Sequence, residues 1–187
     1  MKKSLLITVL IAAFTIGAKA QTENRFGGQI EVGYGFRMGQ KLNVFQVSLM
    51  PGYHFGPNIF AGVGIGFNRY SGFGGSLSSV PFFAHGTINL IYASTWTPFF
   101  ATKIGYGIGK ESETLQGTTN ELKTGLYFAP SIGVKYKITP QQTISLALQY
   151  DAMAFKAIIR DSGDNGTVRY SGSTTNNALG VRVGYEF

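Results

Sequence analysis

The chain lacks cysteine entirely, which removes disulfide staples, thiolate metal ligands and the lipid-attachment cysteine of a lipoprotein together. Charge is scarce too: Asp, Glu, Lys and Arg make up 13% of the 187 residues, about half the ~25% of an ordinary soluble domain. Histidine occurs only at His54 and His85, so a transition-metal site is not expected. Beyond the first twenty residues no apolar stretch approaches the ~18–20 residues that a membrane-crossing helix requires. The formal net charge of +7 falls to +4 once Lys2, Lys3 and Lys19 are set aside. With Lys and Arg forming no stripe interleaved with aromatics, nucleic-acid binding is excluded as a function class.

Those three lysines belong to an N-terminal segment with its own layout. Lys2 and Lys3 precede an apolar run from Leu5 to Ile16, which is followed by Ala18-Lys19-Ala20. Charged, apolar and small-residue zones in that order read as a secretory signal cleaved after Ala20. Residues 1–20 are therefore expected to be the signal peptide and residues 21–187 a single domain.

What that domain has in abundance is glycine, 26 residues in the whole chain, and aromatics, 14%. Apolar and small residues alternate with period two in eight segments, near 26–36, 45–55, 59–67, 80–92, 99–108, 126–136, 144–151 and 179–187. Strict alternation over such lengths predicts half-buried strands, so the class is all-β and antiparallel. In the third segment Ile59, Ala61, Val63, Ile65 and Phe67 oppose Phe60, Gly62, Gly64 and Gly66. Short connections holding proline, at 56–58, 94–98 and 139–141, alternate with longer polar stretches at Ser71–Ser79, Glu111–Glu121 and Phe155–Asn176. Such alternation is what strands threading a membrane up and down produce, with both termini on the short-turn side.

Charge placement decides which face meets what. Glu31, Lys103, Lys135, Asp151, Arg182 and Glu186 all fall on the glycine-rich face, and the Phe/Tyr/Ile/Leu face carries none. A soluble sandwich or calycin-like carrier of apolar ligands would turn the bulky face inward, and a narrow eight-strand lumen cannot hold it. The apolar face is therefore expected to meet lipid, with Tyr53, Phe55, Tyr92, Trp96, Tyr136 and Phe187 at one rim and Phe36, Phe45, Phe67, Phe82, Tyr106 and Tyr150 at the other. The fold expected is an eight-stranded antiparallel up-and-down transmembrane β-barrel. Its lumen would be filled by a structural charge network of Glu31, Lys103, Asp151 and Arg182, with Glu31 pairing Arg182 across the closure. A narrow gated conduit is the alternative to a packed plug.

The chain ends in Tyr185-Glu186-Phe187, and with this ending it resembles the small OmpA/OmpX-type outer-membrane barrels and the porin-like β-barrel family over essentially the whole of residues 21–187. The resemblance implies a place in the outer membrane of a Gram-negative cell, lipid as the immediate partner, and reading of Tyr185 and Phe187 by the barrel assembly machinery. The family usually has glycine five residues before the final aromatic; here Arg182 stands there between Gly180 and Gly184.

Other motifs fall to simpler readings. Gly62-x-Gly64-x-Gly66 lacks the helix and the acidic residue of a dinucleotide site. Asp161 to Gly166 lacks the carboxylate a calcium loop needs at its twelfth position, which is Gly172. Asn165-Gly166 instead suggests a type I′ hairpin tip between Ile158-Ile159-Arg160 and Val168-Arg169-Tyr170. Arg160, Asn165, Arg169 and Tyr170 are thus the candidate contacts for an extracellular ligand or host surface, made by strand addition. His54 and His85 sit on the inward face without a neighbouring Ser and carboxylate, so catalytic residues and cofactors are not expected. A monomer with a structural or cell-surface role is the reading, ahead of a small-solute pore.

Overall fold

Backbone pairing takes in all eight alternating segments and runs beyond several of them. The computed structural model describes residues 25–37, 43–72, 75–90, 95–115, 118–139, 141–163 and 166–187, with the side chains of 75–76, 110–122 and 157–171 outside that description. The expected leader and the rim residue Tyr92 also lie outside it. The strands are β1 (Arg25–Arg37), β2 (Asn43–Phe55), β3 (Ile59–Gly72), β4 (Gly75–Asn89), β5 (Trp96–Ile108), β6 (Lys110–Leu115), β7 (Thr118–Thr139), β8 (Gln142–Gly163) and β9 (Gly166–Glu186).

The strand order is β5-β4-β3-β2-β1-β9-β8-β7, and β7 pairs back onto β5, so the sheet closes into an eight-stranded antiparallel barrel. The ninth segment is not a ninth stave: β6 continues β5 beyond Gly109. A side chain at Gly109 would set its Cβ 2.6 Å from the Ser78 carbonyl oxygen, so the close passage of β4 demands glycine there. First and last strands meet from Gln29↔Glu186 to Arg37↔Ala178. The seam is finished by reciprocal backbone hydrogen bonds of 3.0 Å between Gly28 and Phe187. Closure leaves no open edge at the level of the band, where each unpaired backbone group in hydrocarbon would cost several kcal/mol.

The three polar stretches expected as connections are largely strand, and in the last the ladder includes the expected hairpin strands Ile158-Ile159-Arg160 and Val168-Arg169-Tyr170 and runs well beyond them. β3 and β4 pair up to Gly72↔Gly75, β6 and β7 up to Leu115↔Thr118, and β8 and β9 up to Gly163↔Gly166. Their sequences hide this because neither face of a hairpin standing in water needs apolar residues, so the period-two signal vanishes while the ladder continues. The last connection falls at 164–165, one residue before the expected Asn165-Gly166 tip. β7 and β8 are each 22 residues long, about twice the ~9–11 that a tilted strand needs to cross a bilayer. A one-residue slip between Thr124↔Phe155 and Tyr127↔Met153 marks a bulge where the barrel part of β7 passes into the projecting part.

The apolar face points outward. Val63 is 65% exposed and Ile132 61%, whereas Met50 and Phe60 on the other face are 0% and 1%. Aromatic pairs edge this apolar band: Trp96–Tyr136 at 4.9 Å and Tyr53–Phe55 at 5.1 Å toward the termini, and Tyr34–Phe36 at 5.3 Å at the opposite end. The interior is narrow, and glycine makes it possible. Gly52 and Gly62 face each other across β2 and β3, and a Cβ on Gly52 would lie 2.6 Å from the Ala61 carbonyl oxygen and 2.9 Å from Gly62 Cα. Gly86 points outward with nothing within 4 Å of a new Cβ. Gly52→Val should therefore lower the urea midpoint of the refolded barrel, by roughly 1–3 kcal/mol of overpacking strain. Gly86→Val, which adds lipid-facing branched carbon, should leave the midpoint unchanged or raise it. Equal effects at both positions would contradict this account of the packing.

Candidate functional site: the lumen network and the projecting ribbon

Strand alternation brings all six inward charges into one lumen, where they form three ion pairs. Lys103 on β5 pairs with Glu31 on β1. Lys135 on β7 meets Glu186 on β9 at 2.7 Å, and Arg182 on β9 pairs with Asp151 on β8. The expected residues Glu31, Lys103, Asp151 and Arg182 are thus all paired inside the lumen, but as two separate pairs, Glu31 with Lys103 and Asp151 with Arg182, and the expected Glu31–Arg182 pair does not form. The register explains the difference: Glu31 stands opposite Gly184, while Arg182 stands opposite Gly33. The guanidinium passes over Gly33, where a Cβ would collide with it, and reaches Gln46 and Asp151 instead. Glu31 is left to the ammonium of Lys103 arriving from the facing wall.

Asp151 is the most heavily bonded group. It accepts hydrogen bonds from Gln149 Nε2 at 2.7 Å, Tyr127 Oη at 3.0 Å and Gln46 Nε2 at 3.1 Å in addition to Arg182. Four strands therefore converge on one carboxylate, as a buried charge in low dielectric requires. Nearer the termini Glu186 accepts from Gln29 and Lys135, and His54 Nε2 lies 4.0 Å from its other oxygen. His85 Nε2 is 3.0 Å from both Gln29 Oε1 and Thr87 Oγ1. The sequence had placed Lys135 and Glu186 inward but not in the network; the neutral partners Gln29, Gln46, Gln149 and Tyr127 carry no signal beyond their parity.

On the far side of Asp151 the lumen turns apolar. Val44, Tyr70, Leu77, Met153, Phe155 and Ala178 are buried together, with the Tyr70 and Phe155 rings edge to face at 5.5 Å. Phe155, expected at the start of the last polar stretch, is an interior residue. At the other end of β9, Tyr185 and Phe187 stack at 6.0 Å on the outer surface. The Phe187 ring covers Gly28, where a Cβ would come within 2.8 Å of Cζ.

Above the barrel the ladder β8–β9 continues past the last β1 partner. Among the described residues, β9 pairs with both β1 and β8 from Ala178 to Glu186, and from Gly166 to Asn177 with β8 alone. The register sets Arg160 opposite Arg169 and Ile159 opposite Tyr170. The side chains of Arg160, Arg169 and Tyr170, and all of Asn165, lie outside the described residues.

A family model for the outer membrane protein beta-barrel domain matches residues 6–187, and the chain belongs to that family. Its fold is similar to outer membrane protein AlkL, solved by solid-state NMR in DMPC bilayers, with 12% identity and a TM-score of 0.53 over 91% of this chain and 94% of that one. The N-terminal β-barrel domain of Pseudomonas aeruginosa OprF matches with 10% identity and a TM-score of 0.49, over 89% and 98% of the two chains. Neisserial surface protein A matches with 14% identity and a TM-score of 0.49, over 88% and 99%. Curated protein sequences gave no match. The chain is an outer-membrane β-barrel, its exposed apolar band the surface that lipid covers, which rules out a periplasmic carrier with an apolar cavity.

The network makes a sharp energetic prediction. Arg182→Met leaves Asp151 buried without its cation and should cost roughly 3–5 kcal/mol, whereas the double variant Arg182→Met/Asp151→Leu removes both charges and should recover most of that loss. Urea titrations of the refolded single and double variants measure the coupling; additive losses would mean that the two groups do not act as a pair.

Proposed function

We propose that this protein is a closed barrel that presents a β-ribbon at the cell surface, and that its role is contact with an extracellular ligand or host surface rather than solute passage or catalysis. The observation that carries the reading is the stretch of β9 from Gly166 to Asn177, which pairs on one side only among the described residues. A strand edge with no second partner among the described residues offers main-chain donors and acceptors to an incoming strand. The same edge could not stand in hydrocarbon, so the ribbon belongs outside the membrane. Arg160, Asn165, Arg169 and Tyr170 are the residues assigned to the contact. Lumen filling supports the non-conducting half of the reading: three ion pairs and an apolar cluster occupy the axis. His54 and His85 face this filled interior, away from any surface substrate.

In the same reading residues 1–20 are a leader removed on export, the barrel works as a monomer, and the stacked Tyr185 and Phe187 are read by the barrel assembly machinery before the seam with Gly28 closes. A narrow aqueous thread is the second reading. It is favoured by His54 Nε2, His85 Nδ1 and Arg182 Nε, buried atoms without a hydrogen-bond partner among the described residues.

Two measurements separate these readings. In planar bilayers the refolded chain should give no discrete conductance steps; steady openings would favour the thread. A variant lacking residues 157–172 should keep the heat-modifiable gel mobility of a folded barrel, and cells displaying it should lose adhesion to host-cell monolayers relative to cells displaying the full chain. Equal adhesion would remove the ribbon from the function.

A further inference from the structure

The sheet that rises above the barrel ends in two strands of opposite character. One is β6, six residues long, with Lys110, Glu111 and Glu113 among them. The other is β9, whose stretch from Gly166 to Asn177 pairs among the described residues with β8 alone. Shortness, charge, proline and bulges are the devices that keep an exposed edge from pairing with another chain. β6 carries the first two. The β9 stretch is longer, contains no Pro, Lys, Asp or Glu, and has Arg169 as its single charge. Nor does a bulge twist it away, since its register with β8 runs unbroken from Gly163↔Gly166 to Thr143↔Glu186.

Which backbone groups this edge offers follows from the seam. Phe187 and Gly28 exchange both of their hydrogen bonds, so the odd-numbered residues of β9 turn N–H and C=O toward the β1 side. Above the last β1 partner, Thr167, Arg169, Ser171, Ser173 and Thr175 therefore turn theirs to the side that β1 leaves open. When two identical strands pair antiparallel, the two-fold axis stands perpendicular to the sheet and passes through one such residue of each. Centred on Ser171, it sets Ser171 opposite its own copy, Arg169 opposite Ser173 and Thr167 opposite Thr175. That register makes roughly ten main-chain hydrogen bonds and opposes no like charges. The axis also fixes where the second copy stands. Two barrels side by side in one membrane are related by an axis along its normal, which sends both β9 strands downward together and sets N–H level with N–H. Antiparallel pairing requires copies that face each other from two membranes.

We infer that the β9 edge is a self-pairing surface whose partner is the same edge of a second copy on a facing membrane. The inference rests on the reading of the ribbon as a contact surface and names its extracellular ligand as the protein itself. The activity is homotypic contact between cells, made by main-chain hydrogen bonds around Ser171.

The test uses the full refolded chain in phosphatidylcholine nanodiscs holding one copy each, so that any pairing joins two membranes. In sedimentation velocity the wild type should pass from single to paired discs as concentration rises. Ser171→Pro/Ser173→Pro removes two outward N–H groups that β8 does not use; it should keep heat-modifiable mobility and lose the pairing. The chain has no cysteine, so single cysteines read the register, directly opposed residues lying ~5.5 Å apart, within disulfide reach. Under mild oxidation Ser171→Cys discs should link to one another. Thr167→Cys discs should link only when mixed with Thr175→Cys discs. Single discs at every concentration without a Ser171→Cys link, pairing unaffected by the prolines, or self-linking of Thr167→Cys as fast as of Ser171→Cys would each overturn the inference. If the discs stay single while the proline variant loses adhesion to host cells, the edge meets a foreign strand and the contact reading survives alone. If the discs pair and host adhesion does not depend on the ribbon, the self-pairing stands and the host contact falls.

Discussion

In hydrocarbon a backbone N–H or C=O has no water to fall back on, and most of this molecule follows from that constraint. The chain meets it with strands, and strands meet it only when the last pairs with the first. Here that means β1 against β9, sealed by Gly28 and Phe187. Eight staves close on a lumen too narrow for large side chains on every rung. Glycines therefore stand where strands crowd, as at Gly52 and Gly62, and the bulky residues are driven to the outside, where lipid is the solvent that accepts them.

The same narrowness fixes the character of the interior. Charges turned inward by parity cannot reach bulk water, so each must find a counter-charge on another strand. Lys103 finds Glu31 across the lumen, Lys135 finds Glu186, and Arg182 finds Asp151 on the adjacent strand. Two of the three pairs, Lys103–Glu31 and Lys135–Glu186, join strands that are not neighbours in the sheet, so they record the barrel's register. Beyond these pairs an apolar cluster around Tyr70 and Phe155 packs inside the barrel on the ribbon side.

How much of this was legible in the sequence depended on whether a side chain's surroundings were set by parity alone. Strand faces were: the outward placement of Val32, Ile65 and Leu148 and the inward placement of Lys103 and Asp151 follow from period two and the sign of the solvent. Pairing partners were not, because they depend on stagger between strands; one rung of offset moved Arg182 from Glu31 to Asp151. Of the ribbons only the tip of the last was legible, from the hairpin expected between Ile158-Ile159-Arg160 and Val168-Arg169-Tyr170; residues such as Ser171, Ser173 and Thr175 alternate nothing while their backbones pair as regularly as those in the membrane. The contact residues proposed at the ribbon tip rest on turn chemistry in the sequence and on the free length of β9.

The central claim is the orientation of the closed barrel, apolar face to lipid. The most direct measurement replaces Trp96 by Phe, places single tryptophans at Val32, Ile65 and Leu148 on three different strands, refolds each variant into vesicles, and quenches its fluorescence with bromine carried on the lipid acyl chains. The account predicts strong quenching at all three positions. Absence of quenching, with the chain remaining in solution, would contradict it and turn the barrel inside out.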